Sequence, residues 1–117
     1  MTISLINGVQ KNELDLLNRG LVFGDGVFTT AKVINGAVEF LTAHIERLKH
    51  GCILLKINPV DWQELTDEIC ALTKQSTLSV LKITITSGVG GRGYSRLGCE
   101  HSTRILTLTD FPTHYLS

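Results

Sequence analysis

The chain has 117 residues and no formal net charge, with 11 basic and 11 acidic side chains. Hydrophobic residues make up 43% and charged residues 19% of it, and mean hydropathy is +0.17. One modest domain fits this length, burying roughly two-thirds of its unfolded surface; a polyanion partner recruited by bulk charge does not fit it.

The opening "MTISLINGVQ" lacks the basic region and long apolar run of a leader peptide. No stretch approaches the length of a membrane span, so a cytoplasmic location is the expectation. Ile3 to Ile6 is a β-prone run, and Asn7-Gly8 after it is a type I′ hairpin signal. Val9 and Gln10 begin the return strand. A loop-like stretch, "NRGLVFGDG", covers Asn18 to Gly26. Phe28 to Ile34 reads as a strand from its Thr and Val content. Asn35-Gly36 repeats the hairpin signal, and Ala37 to Phe40 returns.

Two helices follow. Leu41, Ile45, Leu48, Cys52 and Leu55 recur at steps of four and three, which predicts a helix over about Thr42 to Lys56 with Thr42 as N-cap. Gly51 weakens it by about 1 kcal/mol relative to alanine. Asn58-Pro59 breaks the chain. Trp62, Leu65, Ile69 and Leu72 form the apolar stripe of a second helix, about Trp62 to Lys74. Asp61 with Glu64 resembles a capping box at its start. Cys52, Cys70 and Cys99 have no C-x-x-C spacing and suggest neither a zinc site nor a disulfide framework. Cys52 and Cys70 read as small apolar helix residues.

Ser79 to Thr86 alternates Leu81, Ile83 and Ile85 with Lys82, Thr84 and Thr86, the pattern of a half-buried strand. Arg104 to Thr109 alternates again. Strands on both sides of a helical pair predict an α+β fold: a small, largely antiparallel sheet with two helices packed on it. The apolar surplus suggests that a partner or further chain covers part of its surface.

Between the last two strands lies "SGVGGRGYS", Ser87 to Ser95. Gly88, Gly90 and Gly93 spell G-x-G-x-x-G, but a dinucleotide fingerprint needs a helix after the loop. "YSRLGCEHST" has no helical period, and Tyr94 stands where a P-loop needs lysine. The glycines alone fit a plain connector. Arg92 and Tyr94 among them also fit an anion-catching loop, because guanidinium grips a carboxylate with two hydrogen bonds.

"RGLVFGDGVFTTAKVING", Arg19 to Gly36, followed by "AHIERL", Ala43 to Leu48, resembles the N-terminal part of the fold-type IV pyridoxal-phosphate enzymes. That family includes branched-chain aminotransferases, D-amino acid transaminases and 4-amino-4-deoxychorismate lyases. F-T-T-A at Phe28 to Ala31 and G-G-R-G-Y-S at Gly90 to Ser95 resemble the lyases, whereas transaminases usually carry Glu where Thr29 stands. The resemblance spans essentially the whole chain.

It implies a lyase splitting 4-amino-4-deoxychorismate into 4-aminobenzoate and pyruvate, on the route to folate. It implies pyridoxal 5′-phosphate as cofactor, with Arg47 binding its phosphate. Arg47 stands roughly 120° around the helix from the apolar stripe, with Gly51 one turn on leaving room. His44 is either an orienting group or a half-buried histidine. Arg92 and Tyr94 align with the loop that holds the substrate carboxylate, often across a homodimer, and Thr29 is a further substrate-side candidate. Asp25 and Gly26 read as a turn steering the strand.

None of the six lysines, Lys11, Lys32, Lys49, Lys56, Lys74 and Lys82, lies in the family's Schiff-base context. The expectation is therefore an N-terminal domain, 1–117, that awaits a C-terminal domain bearing the catalytic lysine and is inactive alone. A fragment of a D-amino acid or branched-chain aminotransferase, or a stand-alone interaction domain without cofactor, are the rival expectations. No metal site and no nucleic-acid partner are expected.

Overall fold

The computed structural model describes residues 2–11, 26–57, 60–87 and 102–112. Strands are β1 (Thr2–Ile6), β2 (Val9–Gln10), β3 (Gly26–Ile34), β4 (Ala37–Val38), β5 (Leu78–Thr86) and β6 (Thr103–Asp110); helices are α1 (Leu41–Leu55) and α2 (Trp62–Thr73). The strands form one sheet in the order β2-β1-β6-β5-β3-β4. Every neighbouring pair is antiparallel. The fold is α+β, as expected from the sequence.

Both Asn-Gly pairs turn as their type demands. Asn7 and Gly8 have φ of 51° and 82°, Asn35 and Gly36 of 50° and 80°, the left-handed pair a type I′ hairpin needs. Only Ala37 and Val38 pair in the second hairpin, so the return strand is shorter than Ala37 to Phe40. The chain then turns into α1 through Phe40, whose backbone is left-handed (φ 56°) and which gives no side-chain cap. Thr42 is thus inside the helix rather than its cap. The Asp61 side chain does cap α2, accepting a bond from the Glu64 N–H at 2.9 Å. Glu64 directs its own carboxylate to Arg104 instead, 3.4 Å away.

Register explains the core. Val27 pairs with Ile85, Thr29 with Ile83 and Ala31 with Leu81; Ile83 pairs with Leu106 and Leu81 with Leu108. Directly opposed residues share a face, so these side chains make one surface, and both helices lie on it. Leu48 and Cys52 of α1 and Leu65 and Ile69 of α2 are buried against it. Each of the three aliphatic side chains contributes about 1.5–3 kcal/mol through burial, more than the helix propensity lost at Gly51. Cys70 is exposed, so of these two cysteines Cys52 alone serves as a small core residue. Burial pushes the Cys52 thiol up to about 11.

The opposite face is more polar. Phe28 is 62% exposed there, with the Lys82 ammonium 4.7 Å from its ring centre. Thr86 also points this way but is buried, because it pairs with Thr103 and lies against Gly26, whose missing Cβ would stand 3.3 Å from its methyl group.

One charged group on the helix-facing side is locked. Arg104, opposite Ile85, donates from Nε and Nη2 to the two carboxylate oxygens of Glu68 on α2, at 2.9 and 2.8 Å. Its backbone N–H bonds Asn7 Oδ1 and its carbonyl accepts from the Asn7 N–H. Hairpin, sheet and second helix are joined at this arginine.

Candidate functional site

The family-like residues of β3 and α1 meet at one edge of the helix layer. The strand alternation puts Thr29 inward and Thr30 outward: Thr29 is 2% exposed, and Thr30 is exposed. The Thr29 Oγ1 lies 2.6 Å from His44 Nδ1, a bond the sequence alone did not reveal. The available signal was the strand period of two beside a histidine in the first turns of the next helix. His44 is half-buried, and its pKa is held below the usual 6.5, first by burial and second by the neighbouring Arg47 charge. The ring is therefore neutral at pH 7.

Arg47, three residues on, is exposed. The one acidic residue of α1 is Glu46, and it faces Lys49 at 3.7 Å. Among the described residues no carboxylate pairs with Arg47. A guanidinium beside a neutral imidazole and without a carboxylate fits an anionic group such as a phosphate. Gly51 has a different role from the open room expected of it. A Cβ there would sit 2.7 Å from Val27 Cγ1, so Val27 fills that space and the glycine lets α1 lie close on β3.

Arg92 and Tyr94, with Asp25, Cys99, Asn58 and Pro59, lie outside the described residues. Two clefts lie away from the Thr29–His44–Arg47 group. One, about 490 Å³, is lined by Leu72, Ser76, Ser79 and Asp110; the other, about 750 Å³, by Lys49, Cys52, Ile57 and Trp62. Neither cleft has Thr29, His44 or Arg47 in its lining. No cluster of three metal-ligating side chains occurs among the described residues, and none of their helices is long and apolar enough to cross a membrane.

The chain belongs to the amino-transferase class IV family, whose pattern matches residues 26–116. Within that family it is similar to the aminodeoxychorismate lyase of Vibrio harveyi, with 35% identity over 112 residues, 96% of this chain and 41% of that protein. The crystal structure of 4-amino-4-deoxychorismate lyase from Pseudomonas aeruginosa superposes with a TM-score of 0.87 at 34% identity, covering 94% of this chain and 40% of that one. A branched-chain aminotransferase from Thermoproteus uzoniensis shares the fold, with a TM-score of 0.74 at 16% identity over 94% of this chain and 41% of that one. The chain thus spans well under half the length of these relatives.

Proposed function

We propose that this chain is the N-terminal domain, residues 1–117, of a pyridoxal-phosphate-dependent lyase that splits 4-amino-4-deoxychorismate into 4-aminobenzoate and pyruvate in folate synthesis. The observation that carries the reading is Arg47: an exposed guanidinium with no carboxylate partner among the described residues, in a chain similar to such a lyase over 96% of its length. Pyridoxal phosphate, when bound, supplies an electron sink for the bond that breaks.

This chain's part is binding. Arg47 holds the cofactor's 5′-phosphate as a fixed cation. Arg92 and Tyr94 receive the substrate carboxylate, the arginine through a two-pronged hydrogen bond and the tyrosine through its hydroxyl. Thr29, buried and bonded to His44, reaches the ligand side through that histidine. The proton-transfer lysine belongs to a C-terminal domain. Of the lysines here, the Lys82 and Lys32 ammonium groups lie over the rings of Phe28 and Phe111. Assembly is as a homodimer in the cytoplasm.

Reading the coding sequence on past Ser117 and assaying the whole product tests this. A lysine-bearing second domain and release of 4-aminobenzoate and pyruvate are expected, and the 117 residues alone should release neither. Transamination without 4-aminobenzoate would make the parent an aminotransferase. Turnover by the isolated chain would overturn the division of labour.

A further inference from the structure

The Thr29–His44 contact carries a consequence for the tautomer of the ring. Thr29 is 2% exposed, and its hydroxyl hydrogen needs an acceptor. The acceptor in reach is His44 Nδ1, at 2.6 Å. Were the imidazole proton on Nδ1, it would donate to Thr29 Oγ1, and the buried hydroxyl hydrogen would need another partner. Thr29 Oγ1 makes no other hydrogen bond among the described residues. Donation by threonine satisfies both groups and leaves the ring proton on Nε2.

That Nε2–H is a neutral donor on a half-buried ring three residues before Arg47, on the neighbouring part of the same helix face. Among the described residues it makes no hydrogen bond. A neutral donor adds to the guanidinium without repelling it, as a second cation would.

Resting on the reading that Arg47 receives an anion, we propose that His44 is the second donor to that anion and that Thr29 is the positioning residue that fixes its Nε2–H form. Such an outer partner sets the orientation and protonation of a ligand-binding histidine. The anion is a phosphate ester or inorganic phosphate; the two share one chemistry, and comparing pyridoxal 5′-phosphate with phosphate alone separates them.

The test uses long-range ¹H–¹⁵N correlation of the histidine rings of the 117-residue chain, with the His44 signals assigned by their loss in His44→Gln. Wild type is expected to show one tautomer, Nδ1 bare and Nε2 protonated. Thr29→Ser keeps it, and Thr29→Val mixes the two forms. Titration with inorganic phosphate should move the His44 Nε2 signal. Thr29→Val and His44→Gln should each weaken binding roughly 5-fold, the size of one net hydrogen bond, while Thr29→Ser binds as wild type.

A wild-type ring protonated mainly on Nδ1 overturns the proposal, even where Thr29→Val fails to fold. So does unchanged affinity in Thr29→Val and His44→Gln while Arg47→Gln abolishes binding. Binding that survives Arg47→Gln overturns the reading of Arg47 instead, and no response to phosphate or pyridoxal 5′-phosphate overturns both.

Discussion

Two arginines of this chain have opposite surroundings. Arg104 is 12% exposed at its side chain, makes a two-pronged bond to Glu68, and has Glu64 within 3.4 Å. Arg47 is exposed, faces no carboxylate among the described residues, and stands beside a neutral histidine. The first has its charge answered inside the fold and ties β6 to α2. The second has no such answer among the described residues. Similar side chains on one domain thus differ by the company each keeps: Arg104 is structural, and Arg47 is the one we propose for an anion.

The largest effect should come from breaking the answered pair. Glu68→Ala takes both prongs of that bond from the nearly buried Arg104 cation and leaves it the more exposed Glu64 at 3.4 Å, which should cost about 2–3 kcal/mol. Glu64→Ala, at a carboxylate 54% exposed, should cost under about 0.5 kcal/mol. Arg47→Gln should also stay within about 0.5 kcal/mol. Urea unfolding of the three variants checks this order. A destabilisation at Arg47 as large as that at Glu68 would erase the distinction.

Gly51→Ala comes next. Alanine gains about 1 kcal/mol in helix propensity, but the new Cβ meets a β-branched valine at 2.7 Å, and overpacking costs about 1–3 kcal/mol. A net loss of about 1 kcal/mol is expected. Val27→Ala in the same chain should reverse its sign, a coupling that a double-mutant cycle reads directly.

Smaller again is a pH effect beside Arg47. His44 titrates below 6.5 in the folded chain, so unfolding takes up a proton between the two values. Stability is full above pH 6.5 and declines as the pH falls through the folded value. The decline should be reduced in His44→Gln when thermal unfolding is followed from pH 7.5 to 5. The mildest perturbation is chemical: an alkylating reagent should modify exposed Cys70 and spare Cys52 in the folded chain, since Cys52 is buried with its thiol pKa raised. Peptide mapping after a short exposure reads this difference.

Much of the fold was legible because its signals are local. Asn7-Gly8 and Asn35-Gly36 announce their hairpins, the steps from Leu41 to Leu55 announce α1, and the alternation from Leu81 to Ile85 announces β5. The Thr42 cap was misplaced because β4 ends at Val38 and the chain enters the helix through Phe40. Cys70 was misjudged because helical position alone does not give the buried face. Arg47 stood out through its motif, although motif spacing says nothing of whether a carboxylate lies beside it. The Glu68–Arg104 bond joins residues 36 apart, and the Thr29–His44 bond residues 15 apart. The alternation of β3 tells only that Thr29 and Thr30 face opposite ways, and no period links either pair, so the three-dimensional arrangement is needed to show the bonds.

The claim that Arg47 is a phosphate ligand rather than a solvated surface charge is tested most directly by titrating the chain with pyridoxal 5′-phosphate and with pyridoxal, following the arginine and histidine side-chain resonances. The Arg47 Nε and His44 ring signals should move together with pyridoxal 5′-phosphate, stay still with pyridoxal, and lose the response in Arg47→Gln. Equal responses to both compounds, or a response unchanged by Arg47→Gln, would contradict the account.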